Sequence, residues 1–190
     1  ALRYLMLGVE HILLGIDHLL FVLGLLLLLQ GFWKLFQTIT AFTVAHSITL
    51  AFAVLGIFPV PNAPIEVLIA LSIVFLAREI IMGQRGESTL VHTKPWIVAF
   101  VFGLFHGFGL AGALGELGLS DGDIPLALLF FNLGVEGGQI AFICVLIAIN
   151  YVFNRFLSHL FLSLQRGLAY GLGAIATYWF IERLPALLMI

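Results

Sequence analysis

Six apolar stretches, each about as long as a membrane-spanning helix, constrain this chain more than any other feature of its sequence. A helix needs about 20 mainly apolar residues to cross the hydrocarbon core of a bilayer, and lipid cannot satisfy exposed backbone groups. Pro, Gly and charged residues separate the stretches, which cover roughly 4–29, 36–57, 64–83, 95–115, 124–149 and 168–189. We therefore predict an all-α, polytopic transmembrane bundle of about six helices that forms a single domain over residues 1–190.

The charge content agrees with a protein embedded in a lipid bilayer. Only 9% of the residues are charged and 62% are hydrophobic, whereas a soluble domain carries roughly a quarter charged residues on its surface. A net charge of −2 gives no indication of nucleic-acid binding. The single cysteine, Cys144, lies in an apolar run, which excludes a disulfide framework within the chain and a cysteine-type metal site.

The distribution of Lys and Arg predicts the orientation of the chain. Loops on the cytoplasmic side of a membrane carry an excess of these residues. If six helices span the bilayer, six of the eight basic residues lie on one side, and only Arg3 and Arg183 lie on the other. We expect a bacterial inner-membrane protein with both termini outside. The six cytoplasmic residues are then Lys34, Arg78, Arg85, Lys94, Arg155 and Arg166.

The first stretch contains a heptad duplication that places four ionisable residues in one span. The pairs Glu10-His11 and Asp17-His18 are seven residues apart, a spacing that returns to nearly the same helix face. An acid at the centre of a spanning helix costs about 2.5–3.5 kcal/mol, so these residues should face the bundle interior. On a straight helix the two imidazoles would be about 10 Å apart along the axis. Either Gly15 permits a bend, or the two heptads mark successive sites along a path.

Three further stretches carry polar residues at a similar depth. The second has a Thr/His/Ser face, the fourth has a histidine among glycines, and the fifth has an Asn/Glu/Gln face. Packing alone does not require several imidazoles and carboxylates at one level, so their convergence indicates function. The residues are Thr43, His46 and Ser47; His106; and Asn132, Glu136 and Gln139.

Imidazole and carboxylate ligands together suit a first-row divalent transition metal better than Mg²⁺ or Ca²⁺. Nickel, cobalt, zinc and copper all remain open as the ion. The expected ligands are His11, Asp17, His18, His46, His106 and Glu136, with His11 nearest the outside. Around them we expect groups that orient the ligands by hydrogen bonds, namely Glu10, Thr43, Asn132 and Gln139.

Four segments resemble motifs of the HupE/UreJ family, in the same order and over nearly the whole chain. They are His11-x5-Asp17-His18, Phe42–Leu50, Phe102–Gly109 and Phe131–Gln139. The resemblance implies a membrane protein of the class associated with hydrogenase and urease accessory functions and regarded as nickel or cobalt permeases. It also implies metal-motif roles for His11, Asp17 and His18, and it matches His46, His106 and Glu136 to further family motifs.

One departure from the family pattern concerns the start of the first motif. The better-studied permeases open it with a His-Pro pair, whereas His11 here follows Glu10. In this respect the chain resembles the branch whose members often carry an extracytoplasmic N-terminal extension.

Three functions are compatible with such a site. A permease would receive the ion at Glu10 and His11 and pass it to the mid-depth ligands by ligand exchange. An intramembrane hydrolase would use three histidines with an open metal position, and Glu136 or Asp17 as general base. An accessory subunit would bind metal within a homo-oligomer or a larger membrane complex. The family resemblance favours the permease, whereas the small number of ionisable groups on the cytoplasmic side of the site is a point for the enzyme.

Overall fold

The computed structural model describes residues 1–58, 61–109, 124–157 and 161–189, and all regular secondary structure in these ranges is helical. The prediction of an all-α fold is therefore confirmed. Residues 110–115 of the fourth predicted span, and His159, lie outside the described ranges. The helices are α1 (Leu2–Leu14), α2 (Ile16–Leu28), α3 (Phe32–Val54), α4 (Asn62–Gln84), α5 (Leu90–Thr93), α6 (Pro95–Gly109), α7 (Ile124–Leu157) and α8 (Phe161–Arg183), followed by a 3-10 helix (Leu184–Met189).

The first apolar stretch forms two helices with a sharp bend between them. The axes of α1 and α2 differ by 72° across Gly15. A Cβ atom at Gly15 would lie 2.7 Å from the carbonyl oxygen of His11 and 3.0 Å from Nδ1 of His18, so the bend leaves no room for a side chain. Asp17 stabilises the start of α2, where its Oδ1 accepts a hydrogen bond from the backbone N–H of His18 at 2.9 Å. Of the two alternatives for this segment, the structure shows the bend.

Helix α1 packs closely along α7 through glycines on both helices. A Cβ atom at Gly8 would collide with the carbonyl oxygen of Phe131, and a Cβ atom at Gly134 would collide with that of Leu5. Small residues let the two backbones approach closely in this way. The contact holds α1, and with it His11, against α7.

Helices α4 and α8 pack against each other in antiparallel fashion. At one end Arg183 forms an ion pair with Glu66, with 3.7 Å between Nε and Oε2. In the middle of the pair, Gly173 lies against Ala77, and at the other end Arg85 and Arg166 line one cavity. Both helices contribute buried side chains to the larger apolar cluster of the core, among them Ile73 and Leu76 from α4 and Leu172 from α8.

A buried carboxylate fixes the polar connection after α4. Glu79 is 2% exposed; its Oε1 accepts a hydrogen bond from Arg78 at 3.0 Å and its Oε2 accepts one from the backbone N–H of Val91 at 3.1 Å. His92 lies in the short helix α5, where Thr89 caps the first turn. The segment that follows Gly86 is therefore tied to the bundle.

The connection predicted between the last two spans is mostly helical. Helix α7 continues to Leu157, and α8 begins at Phe161. Within the described residues, the segment between the last two predicted spans is therefore helical, as the end of α7 and the beginning of α8.

Length and apolar content mark only some of these helices as membrane spans. Among the described residues, Phe32–Val54 and Ile124–Phe153 are long and apolar enough to cross a bilayer, and the bent pair of α1 and α2 would add a third span. Helix α6 is apolar but has 15 residues. Helices α4 and α8 each have 23 residues and are less hydrophobic. The count of six spans therefore stays a prediction.

Cysteine labelling tests this topology. In a background where Cys144 is replaced by alanine, Glu87→Cys and Ile57→Cys are expected to react with an impermeant maleimide from opposite sides of the membrane, because α4 separates the two exposed turns. Glu87 should be labelled from the cytoplasmic side. Labelling of both positions from the same side would contradict a spanning α4.

Candidate metal centre

The bend at Gly15 brings the two histidines of the first motif together. The ring centroids of His11 and His18 are 4.7 Å apart, instead of the roughly 10 Å axial separation of a straight helix. His18 is 4% exposed, and His11 is half-buried beside it. The bend thus brings together the side chains of two residues that lie seven positions apart in the sequence.

Glycines in α6 bring a further histidine into the same place. Cβ atoms at Gly103 and Gly107 would collide with the backbone oxygens of Phe42 and His46, so α6 lies directly on α3. This contact buries both His46 and His106, which are 0% and 1% exposed. The glycines around His106 therefore set how closely its helix approaches α3.

Four imidazoles from four helices form one cluster, with His18 at its centre. The centroid of the His18 ring lies 4.7 Å from that of His11, 5.9 Å from that of His46 and 4.8 Å from that of His106. The rings of His11 and His46 are 6.0 Å apart. We refer to His11, His18, His46 and His106 as the histidine cluster.

Aromatic side chains enclose the histidine cluster on two sides. Phe21 and Phe42, each 1% exposed, have ring centroids 4.9 Å apart, and both contact the ring of His106. On the other side, Phe131 lies 5.7 Å from His11. The cluster therefore lies between two apolar clusters of the protein core, one that includes Phe21 and Phe42 and one that includes Phe131.

Five ring nitrogens of this cluster are buried without a hydrogen-bond partner among the described residues. A buried polar atom without a partner costs about 1–3 kcal/mol. Five such atoms in one place therefore need a common explanation. An ion could use the free lone pair of each ring, whereas the N–H of a neutral His46 needs a hydrogen-bond acceptor such as ordered water. The atoms are His11 Nε2, His18 Nε2, both ring nitrogens of His46, and His106 Nδ1.

Asp17 sets which nitrogen of His18 is available. The Nδ1 atom of His18 lies 3.1 Å from Oδ1 of Asp17, and a carboxylate only accepts hydrogen bonds, so Nδ1 carries the proton. The unpartnered Nε2 of His18 is then a lone-pair donor. A histidine that is held by a carboxylate on one nitrogen and is free on the other is the usual form of a metal ligand.

Ser72 sets which nitrogen of His106 is available, and it was not among the predicted site residues. The Ser72 hydroxyl donates its one proton to the carbonyl oxygen of Ile69 at 2.6 Å, so at the Ser72 contact of 3.3 Å Nε2 of His106 donates. Nδ1 of His106 is then the free acceptor. A serine in the middle of an apolar stretch was the signal in the sequence, and in the structure it is fully buried. Such a serine often bonds only to its own helix, so it does not by itself indicate a site.

The distances between the rings of the histidine cluster fit a shared ion, but the side chains are not arranged to hold one. Two imidazoles bound to one tetrahedral ion at about 2.1 Å have ring centroids about 5 Å apart. However, no group of three or more His, Cys, Asp or Glu among the described residues is arranged to hold a metal ion. The ring planes of His11, His46 and His106 each meet that of His18 at 71–77°, and the side chains would have to move before one ion could contact them together.

The remaining predicted site residues lie around the histidine cluster rather than in it. Oε1 of Glu136 accepts a hydrogen bond from Thr40 at 2.8 Å, and Oε1 of Gln139 accepts one from Thr43 at 3.1 Å. These bonds connect α7 to α3 within two turns of His46. Glu136 was expected as a ligand; in the described contacts its carboxylate bonds to Thr40 and not to an imidazole.

Two more of the expected orienting residues have no described contact with an imidazole. Asn132 donates to the carbonyl oxygen of Leu128 at 2.8 Å, and its Oδ1 is buried without a described partner. Glu10 is exposed on α1, next to His11.

A family model described as HupE / UreJ protein matches residues 1–183. No curated protein and no solved structure was found to match the chain.

Proposed function

The chain belongs to the HupE/UreJ family of membrane proteins, and on that premise we propose that it is a permease for a divalent transition-metal ion of the nickel and cobalt type. The observation that carries the proposal is the histidine cluster: four imidazoles from four helices, with unpartnered nitrogens on every ring. Hydrogen bonding among the described residues leaves these nitrogens unused, and a metal ion would use one nitrogen of each ring.

The donor set favours a transition metal over the more abundant hard cations. Neutral imidazole nitrogen suits Ni²⁺, Co²⁺, Zn²⁺ and Cu²⁺, whereas Mg²⁺ and Ca²⁺ prefer oxygen ligands in larger numbers. Among the described residues, Asp17 is the carboxylate that bonds to the histidine cluster, and it would offset part of the charge of the ion. Affinity alone does not separate the four metals, because one ligand set binds them in a graded order.

A path for the ion would begin at the exposed end of α1. Glu10 is exposed and next to His11, and His11 contacts His18. The ion would exchange ligands along this series of residues and then meet the closed Phe21–Phe42 pair. Binding at several weak sites lets an ion leave again, so passage to the cytoplasm requires these two rings to separate.

The contact between Phe21 and Phe42 favours the alternative of an intramembrane metal-dependent hydrolase. An enzyme needs access from one side only, and Phe21 and Phe42 belong to an apolar cluster that continues through Leu25, Leu35 and Ile39. In that case a metal-bound hydroxide would attack the substrate, and Asp17 or Glu136 would act as general base. What separates the two functions is whether the ion crosses the membrane.

Ion uptake into proteoliposomes tests the permease. We expect wild-type protein to carry Ni²⁺ or Co²⁺ to an entrapped indicator, and Glu136→Gln to lower metal affinity at least about tenfold and slow uptake, since outer groups of metal sites contribute about 10–100-fold. Glu182→Gln removes an exposed carboxylate that bonds only to Tyr178 in the described structure and serves as control. Bound metal without any uptake by the wild type would favour the hydrolase or the accessory subunit.

A further inference from the structure

A groove between α4 and α8 combines an apolar floor with arginines at one end. Its larger cavity has a volume of about 590 Å³, and an adjoining cavity adds about 240 Å³. The two cavities share Ile81, Arg85 and Tyr170, so they form one continuous surface. We call this surface the α4–α8 groove. Its floor consists of small and apolar side chains, namely Val74, Ala77, Ala169, Gly173 and Ala174.

Two of the arginines in the α4–α8 groove carry charge that no neighbouring acid neutralises. Arg78 forms an ion pair with Glu79 at 3.0 Å. Among the described residues, no carboxylate forms an ion pair with Arg85 or Arg166, and both of these arginines line the smaller cavity together with Tyr170. The polar end of the groove therefore presents two exposed guanidinium groups to one ligand.

The dimensions of the α4–α8 groove correspond to one leaflet of a bilayer. Along α4 it extends from Val74 to Arg85, which is about 16 Å at 1.5 Å per residue. The hydrocarbon core of a bilayer is about 30 Å thick, so the groove covers about half of it. Its arginine end lies on the side where we place six of the eight basic residues, which is the cytoplasmic side.

We propose that the α4–α8 groove binds an anionic phospholipid of the cytoplasmic leaflet. The lipid phosphate lies between Arg85 and Arg166, and an acyl chain lies along the floor toward Val74. A free phosphate ion would use the arginine end alone and would leave the apolar floor without a role. The phospholipid matches both ends of the groove, because basic pockets between transmembrane helices on the cytoplasmic side recognise anionic headgroups.

Lipid titration of the purified full-length chain in detergent, monitored by native mass spectrometry, tests this site. Each arginine near a membrane surface contributes about 1 kcal/mol to anionic lipid binding, so Arg85→Gln/Arg166→Gln is expected to weaken phosphatidylglycerol binding about 30-fold. The control Lys34→Gln/Arg155→Gln removes the same charge from exposed residues on the same side and should change binding less than threefold. Equal losses in the two double variants would overturn the site.

A second pair of variants separates the apolar floor from the charges. Ala174→Phe fills the floor of the α4–α8 groove and should weaken phosphatidylglycerol binding at least about tenfold, whereas Ile175→Phe on the adjacent exposed position should not. Phosphatidylcholine should bind much more weakly than phosphatidylglycerol, and inorganic phosphate should not displace the lipid. Displacement by millimolar phosphate, or full binding to Ala174→Phe, would contradict a lipid site.

Discussion

Replacing His18 by alanine is expected to lower the affinity for Ni²⁺ or Co²⁺ by at least about 100-fold, a loss of about 2.7 kcal/mol. His18 is the one member of the histidine cluster whose ring lies within 6 Å of the other three. Its removal therefore leaves a gap at the centre of the site that neither His11 nor His46 can fill from its own helix. Isothermal titration of the purified protein, with uptake measured on the same preparation, provides the values.

The control for this variant is His92→Ala. His92 lies in the short helix α5, bonded to Thr89 and away from the histidine cluster, so its removal should leave metal affinity within about threefold of the wild type. A comparable loss in both variants would indicate general destabilisation. Unchanged affinity in His18→Ala would remove His18 from the site and would leave its unpartnered Nε2 to a water molecule.

Asp17→Asn is expected to lower metal affinity about 10–100-fold and to stop uptake as well. The Asp17 carboxylate accepts two hydrogen bonds from His18, one from the backbone N–H and one from Nδ1 of the ring. These bonds hold the ring and direct Nε2 toward the other imidazoles, and groups with this role contribute about 10–100-fold to metal binding. Asparagine keeps the shape but loses the negative charge.

The same variant separates transport from catalysis. In a permease, weaker loading and lost uptake occur together, because Asp17 acts on the ion itself. In a hydrolase that uses Asp17 as general base, the variant would also load less metal, because Asp17 holds the His18 ring, but the activity lost would be turnover, and the wild type would show no uptake to lose. Glu66→Gln, which removes an exposed carboxylate at the far end of α4, is the matched control and should affect neither measurement.

Much of the fold followed from the sequence because hydrophobic length is a strong signal in a membrane protein. The all-helical class and the start of α4, α6 and α7 agree with the predicted stretches within a few residues. The bend at Gly15 was only one of two alternatives. The bend leaves no room for a side chain at Gly15 beside the carbonyl oxygen of His11 and the ring of His18, and spacing along one helix cannot reveal such crowding.

The proximity of the histidines was more predictable from the sequence than the contacts around them. The positions of His18, His46 and His106 along their predicted spans indicated a common depth in the membrane. In the structure, the rings of His46 and His106 both lie close to that of His18. Depth could not show that Glu136 would bond to Thr40, because that depends on the rotation of α7 about its axis. Nor could it identify Ser72, since a single buried hydroxyl does not reveal its partner in sequence.

X-ray absorption spectroscopy of the protein loaded with one equivalent of Co²⁺ or Zn²⁺ tests the shared site most directly. If the histidine cluster binds one ion, the spectrum should show three or four imidazole nitrogens at about 2.0–2.1 Å, and His18→Ala should lose that pattern. A first shell of oxygen atoms with no imidazole scattering, unchanged by His18→Ala, would contradict a metal centre built from these four histidines.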